Sequence, residues 1–211
     1  MYGPENDVCE KAGVPKITEL MPMYSRDGFH FSRPCRKSFL NASIHEDAWD
    51  RGYVQSVGGI CIIHGDELWI YYSAFGGDTN KVEVPWTQNG MYCNGATGLA
   101  KLRRDGFVSM NGDGTLTTRL LECHGKRAFY INAEGTVSVE LLSANGTLLA
   151  KSETFCGDST AHKMNFGDFD ASTLNNEPFR LRFYVSGKLY SFGLADENGD
   201  FGGAHAAGLV K

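Results

Sequence analysis

Apolar and polar residues alternate with a period of two in the clearest patterned segments of the chain. The alternation is clearest in residues 136–142 and 179–185. The apolar face of these two runs consists of Val137, Val139, Leu141, Phe179, Leu181, Phe183 and Val185. A period of two with one polar face is typical of half-buried antiparallel strands. The pattern therefore predicts that these seven side chains are buried together in one core.

Less regular strand-like runs are separated by dipeptides that favour tight turns. The runs are 59–64, 68–75, 116–123, 128–132 and 189–194. The turn dipeptides are Asp27-Gly28, Gly65-Asp66, Asp105-Gly106, Asn111-Gly112, Asn145-Gly146, Ser186-Gly187 and Asn198-Gly199. Such pairs tolerate the positive φ of hairpin turns. They predict an all-β chain with little helix, the helix candidates being Ile44–Trp49 and Ser172–Asn176.

A change of pattern between residues 76 and 96 predicts a domain boundary. Two glycine-containing segments bracket a stretch without a clear period there. The regular hairpins that follow extend over a length that suits one antiparallel β-sandwich of two packed sheets. We therefore expect two domains, residues 1–90 and residues 91–211.

Composition narrows the classes of function. The 211 residues are 42% hydrophobic and carry a formal net charge of -5. This mild acidity argues against a nucleic-acid partner, which requires a basic face, and it does not support binding to a membrane surface. No apolar stretch is long enough for a membrane-spanning helix. The start of the chain, MYGPEND, is not a signal peptide, so either the protein is not exported by that route or the chain lacks its native N-terminus; its localisation stays unknown.

The residues that usually hold cofactors are scattered. Six cysteines lie about thirty residues apart without a Cys-x-x-Cys pair, which favours reduced thiols over disulfides and argues against zinc. No His-x-x-x-His pair, P-loop or dinucleotide fingerprint occurs. The sequence predicts no metal and no cofactor.

Three segments together resemble one family. They read YSRDGFHFSRP (24–34), WDRGYVQSVGGICIIHGDELWIYYSAF (49–75) and GLAKLRRDGFVSM followed by GTLTTRLLE (98–122). This set resembles glycosidase-like proteins that join a five-bladed β-propeller, of the kind in glycoside hydrolase families 32, 43 and 68, to a C-terminal β-sandwich. The resemblance implies that residues 1–90 are a partial β-propeller, its last one to two blades, and that residues 91–211 are the sandwich.

The same resemblance implies a function and a gap. Intact relatives would hydrolyse or transfer glycosides, but the family's catalytic carboxylates lie mostly in early blades that this chain does not contain. No acid here matches the family's nucleophile or general acid, so the catalytic residues are unknown. We expect a C-terminal portion of a glycoside hydrolase-like protein that is inactive as this chain. The alternative is a non-catalytic carbohydrate-binding or structural β-sandwich module.

One segment is a candidate sugar-binding surface. By the resemblance, residues before an inner blade strand approach the propeller axis, where substrate lies. The candidates are Trp49, Asp50, Arg51, Tyr53 and Gln55. They offer an aromatic plane beside polar groups, although Trp49 could equally belong to a core and Asp50-Arg51 to a surface pair. The acids Glu19 and Asp27 are weaker candidates, and Asp158-Ser159-Thr160 is predicted to be a turn. Open blade edges would also favour self-association.

Overall fold

The computed structural model describes residues 17–45, 47–77, 92–125 and 128–196, without the side chains of residues 59 and 60. The described strands are β1 (Tyr24–Ser25), β2 (Phe31–Ser32), β3 (Tyr53–His64), β4 (Glu67–Phe75), β5 (Gly95–Arg103), β6 (Met110–Thr117), β7 (Ala128–Ser143), β8 (Leu148–Lys151), β9 (Phe155–Lys163) and β10 (Phe179–Ala195). The predicted all-β class is confirmed, with several antiparallel sheets and no α-helix in the described residues. Much of the predicted boundary at 76–96 and the predicted turn Asn198-Gly199 lie outside those residues.

The chain divides into two compact units. Unit 1 comprises residues 1–62 and 69–101, and unit 2 comprises residues 63–68 and 102–211. The chain therefore passes from one unit to the other three times, whereas the sequence predicted one passage near residue 90.

Unit 1 contains a two-stranded hairpin and most of a three-stranded sheet. The hairpin pairs β1 with β2, and the sheet has the order β3-β4-β5. Isolated bridges join Thr18 to Tyr53, Leu20 to Leu40 and Ser43 to Arg51. The first bridge attaches the segment before β3 to the start of that strand, and the other two join parts of this segment to one another.

Unit 2 is built on one five-stranded antiparallel sheet. Its order is β6-β10-β7-β8, and β9 also pairs with β7. The apolar faces predicted from alternation meet across the strands: Leu181 pairs with Leu141, Phe183 with Val139 and Val185 with Val137. All seven predicted core residues are buried, which confirms that prediction.

Four glycines form a row across this sheet. Gly187 of β10 pairs with Gly112 of β6 and Gly135 of β7, and Gly135 pairs with Gly157 of β9. All four have positive φ, between 106° and 152°. A Cβ on Gly135 would overlap the carbonyl oxygen of Ser186, and a Cβ on Gly187 would overlap that of Glu134. All four glycines therefore have a backbone conformation that favours glycine, and at Gly135 and Gly187 the backbones also approach too closely for a Cβ.

The sheet folds over at the glycine row. The ends of β7 lie on opposite sides of Gly135, with Phe129 at one end and Ser143, the partner of Phe179, at the other. A straight strand would separate Phe129 from Ser143 by about 45 Å. The rings of Phe129 and Phe179 are nevertheless only 6.1 Å apart between centroids. The two halves of one sheet thus face each other and enclose the core, where the sequence had predicted two separate sheets.

Two of the predicted turns are wrong for the same reason. Asn111-Gly112 lies inside β6 and Ser186-Gly187 lies inside β10. Gly112 and Gly187 have positive φ where the sheet bends, and neither lies in a hairpin loop. The predicted turns at Asp27-Gly28, Gly65-Asp66, Asp105-Gly106 and Asn145-Gly146 do form.

The two predicted helices do not form as α-helices. A short 3₁₀ helix occupies Ala171–Leu174, capped by the Asp170 side chain, which accepts a hydrogen bond from the Ser172 backbone N–H. Residues 44, 45 and 47–49 are irregular, with a bend at 45 and turns at 47 and 49. The spacing of apolar residues predicts short helices in these segments because helix and loop spacing cannot be distinguished over so few positions.

Candidate functional site

The segment that precedes β3 is held by backbone hydrogen bonds. The Ser43 N–H donates to the Asp50 carbonyl at 3.2 Å, and the Gly52 N–H donates to the Ser43 carbonyl at 2.8 Å. Gly52 has a φ of 76°, which allows the chain to turn into β3. The candidate residues Trp49, Asp50 and Arg51 therefore sit on a fixed backbone.

Trp49 forms an aromatic pair with Tyr72 of β4. The ring centroids are 5.6 Å apart and the planes are tilted by 39°. Both rings lie over Gly98 of β5, because a Cβ there would be 2.6 Å from Trp49 and 2.5 Å from Tyr72. The Trp49 residue remains 43% exposed. We call Trp49, Tyr72 and the adjacent Asp50 the aromatic platform.

Asp50 supplies the polar edge of the aromatic platform. The residue is half-buried. Burial, and then the negative charge of Asp50, raises the pKa of the Tyr72 phenol. The platform therefore presents a carboxylate and a neutral phenol hydroxyl beside an exposed indole ring.

Tyr53 belongs to a second aromatic cluster with Phe75 and Tyr92. The three centroids lie 5.2 to 5.6 Å apart, all in edge-to-face geometry. Burial, followed by a hydrogen bond with Tyr92, raises the pKa of Tyr53. A Cβ on Gly95 would be 2.9 Å from the Phe75 ring, so this cluster also packs over a glycine of β5.

The two clusters occupy opposite faces of the unit 1 sheet. Contacts pair Phe75 with Gly95, Tyr72 with Gly98 and Trp69 with Lys101, whose ammonium lies 4.9 Å from the Trp69 ring centroid. These pairs fit one antiparallel register between β4 and β5. Since side chains alternate along a strand, Tyr72 and Phe75 point to opposite faces. The structure thus separates Trp49 and Asp50 from Tyr53, which the sequence had grouped together.

The remaining candidates differ in accessibility. Arg51 is 5% exposed, so its side chain lies below the surface and not among exposed donors. Gln55 is exposed on β3. The sequence did not reveal Tyr72 and Gly98, because only the pairing of β4 with β5 brings them to Trp49. The shared β4–β5 register is not readable from local sequence.

The carboxylates of Glu19 and Asp27 both accept hydrogen bonds from backbone N–H groups. The Glu19 carboxylate accepts hydrogen bonds from the Ser38 hydroxyl and, at 3.2 Å, from the Ala42 N–H. The Asp27 carboxylate accepts from the N–H groups of Phe29 and His30 at 2.9 and 2.7 Å. The predicted role of Asp27 as a turn residue is confirmed by this geometry.

Unit 2 contains a polar cluster that the sequence did not reveal. Arg103 donates from Nε to Asn132 at 2.7 Å and pairs through Nη1 with Asp158 at 2.6 Å, and its guanidinium lies 4.8 Å from the Tyr190 ring centroid. The predicted turn at Asp158-Ser159-Thr160 is wrong, because these residues lie in β9. Strand pairing directs Asp158 toward Arg103, so the carboxylate and the guanidinium of the cluster are paired with each other.

The described residues were also compared with the requirements of a metal site and of a membrane-spanning helix. No group of three His, Cys, Asp or Glu among them is arranged to hold a metal ion. No helix within the same residues is long and apolar enough to cross a membrane. Cys35, Cys61, Cys93, Cys123 and Cys156 are free cysteines.

Comparison with known proteins returned no matching family model, curated protein or solved structure.

Proposed function

We propose that this chain is the C-terminal portion of a glycoside hydrolase-like protein and that it binds carbohydrate on the aromatic platform without hydrolysing it. In this proposal the unit 1 sheet corresponds to strands of the last propeller blades. The folded sheet of unit 2 corresponds to the accessory β-sandwich. The resemblance of residues 24–34, 49–75 and 98–122 to such proteins motivates the assignment.

The observation that supports binding is the exposed Trp49 ring beside Asp50 and Tyr72. An indole face packs against the C–H groups of a sugar ring, while a carboxylate and a phenol exchange hydrogen bonds with its hydroxyls. Gly98 contributes by its lack of a side chain, which lets both rings lie close to β5. The site is thus an aromatic surface with polar groups at one edge.

The positions of three candidate acids support the proposed absence of hydrolysis. Glycoside hydrolysis requires two carboxyl groups about 5 to 9.5 Å apart across the scissile bond. Glu19 accepts a hydrogen bond from the Ala42 N–H, and Asp27 accepts one from the His30 N–H of its own turn. Of these three candidate acids, Asp50 is the one that borders the platform.

A supporting role for unit 2 is the second candidate. The mutual pairing of Arg103, Asp158 and Asn132 favours it, because these polar groups are occupied by one another. In this second candidate, unit 2 is a structural module and the ligand binds elsewhere. If substitutions in unit 2 abolished sugar binding while substitutions in unit 1 left it unchanged, unit 2 would be the binding unit and this second candidate would be wrong.

The test combines hydrolysis and binding. The purified chain is incubated with aryl glycosides of arabinose, xylose, fructose, galactose and mannose, and its binding to the corresponding polysaccharides is measured by affinity electrophoresis. We expect no turnover, and binding that is lost in Trp49→Ala and retained in Trp69→Phe, the control on the opposite sheet face. Turnover that survives purification and disappears in Asp50→Asn contradicts the non-hydrolytic assignment. Binding that is unchanged in Trp49→Ala contradicts the site.

A further inference from the structure

The β1–β2 hairpin has a rigid turn. Ser25 Oγ accepts a hydrogen bond from the Gly28 N–H at 2.8 Å, and Asp27 accepts from the N–H groups of Phe29 and His30. His30 Nδ1 is 2.5 Å from the second Asp27 oxygen, and Gly28 has a φ of 77°. The turn is therefore fixed by its own side chains before any ligand binds.

This rigid hairpin presents apolar side chains to solvent. Phe29 is 87% exposed and Phe31 is 57% exposed. Met21 and Met23, just before β1, are also exposed. An exposed apolar group that is rimmed by charged residues marks an interaction site.

The same segment is locally basic. Every residue from 26 to 37 is exposed. Its charged residues are Arg26, Arg33, Arg36 and Lys37 against Asp27, which gives +3, whereas the whole chain carries -5 and its remainder therefore -8. Residues 26–37 are thus a local cationic segment with aromatic side chains in a protein that is acidic overall.

We propose that this hairpin and the exposed segment after it, together residues 24–37, bind an acidic polysaccharide, with Arg33, Arg36 and Lys37 contacting its carboxylates and Phe29 and Phe31 contacting its sugar rings. The proposal rests on the proposed carbohydrate-binding function and adds the class of ligand. A charged polymer suits this segment because Arg33, Arg36 and Lys37 are spread along the exposed chain, so that each cation can contact a different anionic group of the polymer.

The charges around Phe29 favour a hydrated polymer over a lipid bilayer. Arg26 and Asp27 precede Phe29 in the turn, and His30 follows it. The hydrogen bonds from the His30 and Phe29 backbones and the His30 ring hold the pKa of Asp27 well below its ordinary value. Insertion of the tip into hydrocarbon would have to dehydrate this ionised carboxylate, whereas a hydrated polysaccharide leaves it in water.

The test uses a pair of polymers with the same backbone. Binding of the full chain to polygalacturonate and to fully methyl-esterified polygalacturonate is measured over a series of salt concentrations. We expect binding to the acidic polymer alone, weakening as salt increases. The double variant Arg33→Gln/Arg36→Gln should lose about tenfold in affinity. Phe29→Ser should also weaken binding, whereas Arg119→Gln/Lys163→Gln, which removes the same charge from exposed positions of unit 2, should not.

The outcomes separate this proposal from the aromatic platform. Acidic-polymer binding that persists in Trp49→Ala but is lost in the hairpin variants supports the hairpin site even if neutral sugars do not bind. Equal binding of the esterified polymer overturns the proposal. Tighter binding to anionic phospholipid vesicles or to single-stranded DNA at the same salt concentration also overturns it. Circular dichroism of each variant checks that the fold is retained.

Discussion

Phe183 and Phe192 lie nine residues apart on the same strand, yet their ring centroids are 5.1 Å apart. A straight strand would separate them by about 30 Å. Gly187, with a φ of 132°, and a register shift between Leu189 and Ser191 lie between them and allow the bend. One strand thus contributes to both layers of the unit 2 core, and the stability of the unit depends on the residue at which the strand folds.

Gly187→Ala should therefore strongly destabilise the protein. The positive φ disfavours any side chain, and the new Cβ would overlap the Glu134 carbonyl oxygen. We expect a loss of about 3 kcal/mol or more in the free energy of unfolding, measured by urea denaturation. Gly114→Ala in β6 is the control, because a Cβ there meets nothing within 4 Å. Similar losses for both variants would contradict the fold at Gly187.

Leu181→Ala and Arg182→Ala should differ in their effect on stability. Leu181 is buried opposite Leu141, and its truncation should cost about 2 to 5 kcal/mol. Arg182 points to the other face, where its half-exposed side chain lies 3.3 Å from Glu140, and its loss should cost about 1 kcal/mol or less. Thermal melts of both variants provide the measurement. An arginine effect as large as the leucine effect would mean that the register is shifted by one residue.

Asp27 should remain ionised in acid. Its lowered pKa means that the hairpin contribution to stability is fully present above pH 3.8, the ordinary value, and declines only as the pH falls through the lower value of the folded state. Carboxyl chemical shifts followed by NMR should show an ionised Asp27 at about pH 3. His30→Ala should raise this pKa, and Ser25→Ala should change it least, since the Ser25 hydroxyl is the smallest of the causes. An ordinary titration of Asp27 in the unaltered protein would disprove the turn geometry.

Cys123 should resist alkylation in the folded protein. Burial raises the pKa of its thiol, so less reactive thiolate forms, and folding should lose stability as the pH rises above about 9. Iodoacetamide at pH 7.5 should label the exposed Cys35, Cys61 and Cys156 well before Cys123, as read by peptide mass spectrometry. In denaturant the rates should converge. Equal rates in the folded protein would place Cys123 at the surface.

Gly98→Ala should disrupt the aromatic platform from the β5 side of the rings. The added Cβ would displace the rings of Trp49 and Tyr72 from β5. We expect a shifted Trp49 indole N–H signal in NMR spectra and weaker sugar binding. Gly76→Ala is the control, because its nearest contact would be an acceptable 3.4 Å. An unchanged indole signal would show that the rings do not depend on Gly98.

Strand character and the core of unit 2 were predictable because alternation reports one buried face directly. Leu181 and Val139 show this, since each is apolar between polar neighbours and each is buried. The fold of the sheet was not predictable, because Asn111-Gly112 and Ser186-Gly187 have the composition of hairpin turns. Whether such a glycine turns the chain or bends a strand depends on the strand that pairs with it.

The site was predictable only in part. Trp49 and Asp50 do lie together beside β3, but Arg51 is buried and Tyr53 joins a different cluster. Tyr72 reaches Trp49 across 23 positions in sequence, and Gly98 reaches both through the register of β4 with β5. Local sequence contains no signal for such long-range contacts.

The row formed by Gly112, Gly187, Gly135 and Gly157 also selects one alignment of the strands. Apolar alternation alone tolerates a slip of two residues, because the inward face is then restored. After such a slip Gly187 would lie opposite Ala133 or Val137, and a methyl or isopropyl group would occupy the bend. Such a misaligned pairing of β7 with β10 is therefore disfavoured, so the Gly187–Gly135 pair specifies a register that hydrophobic patterning alone leaves open.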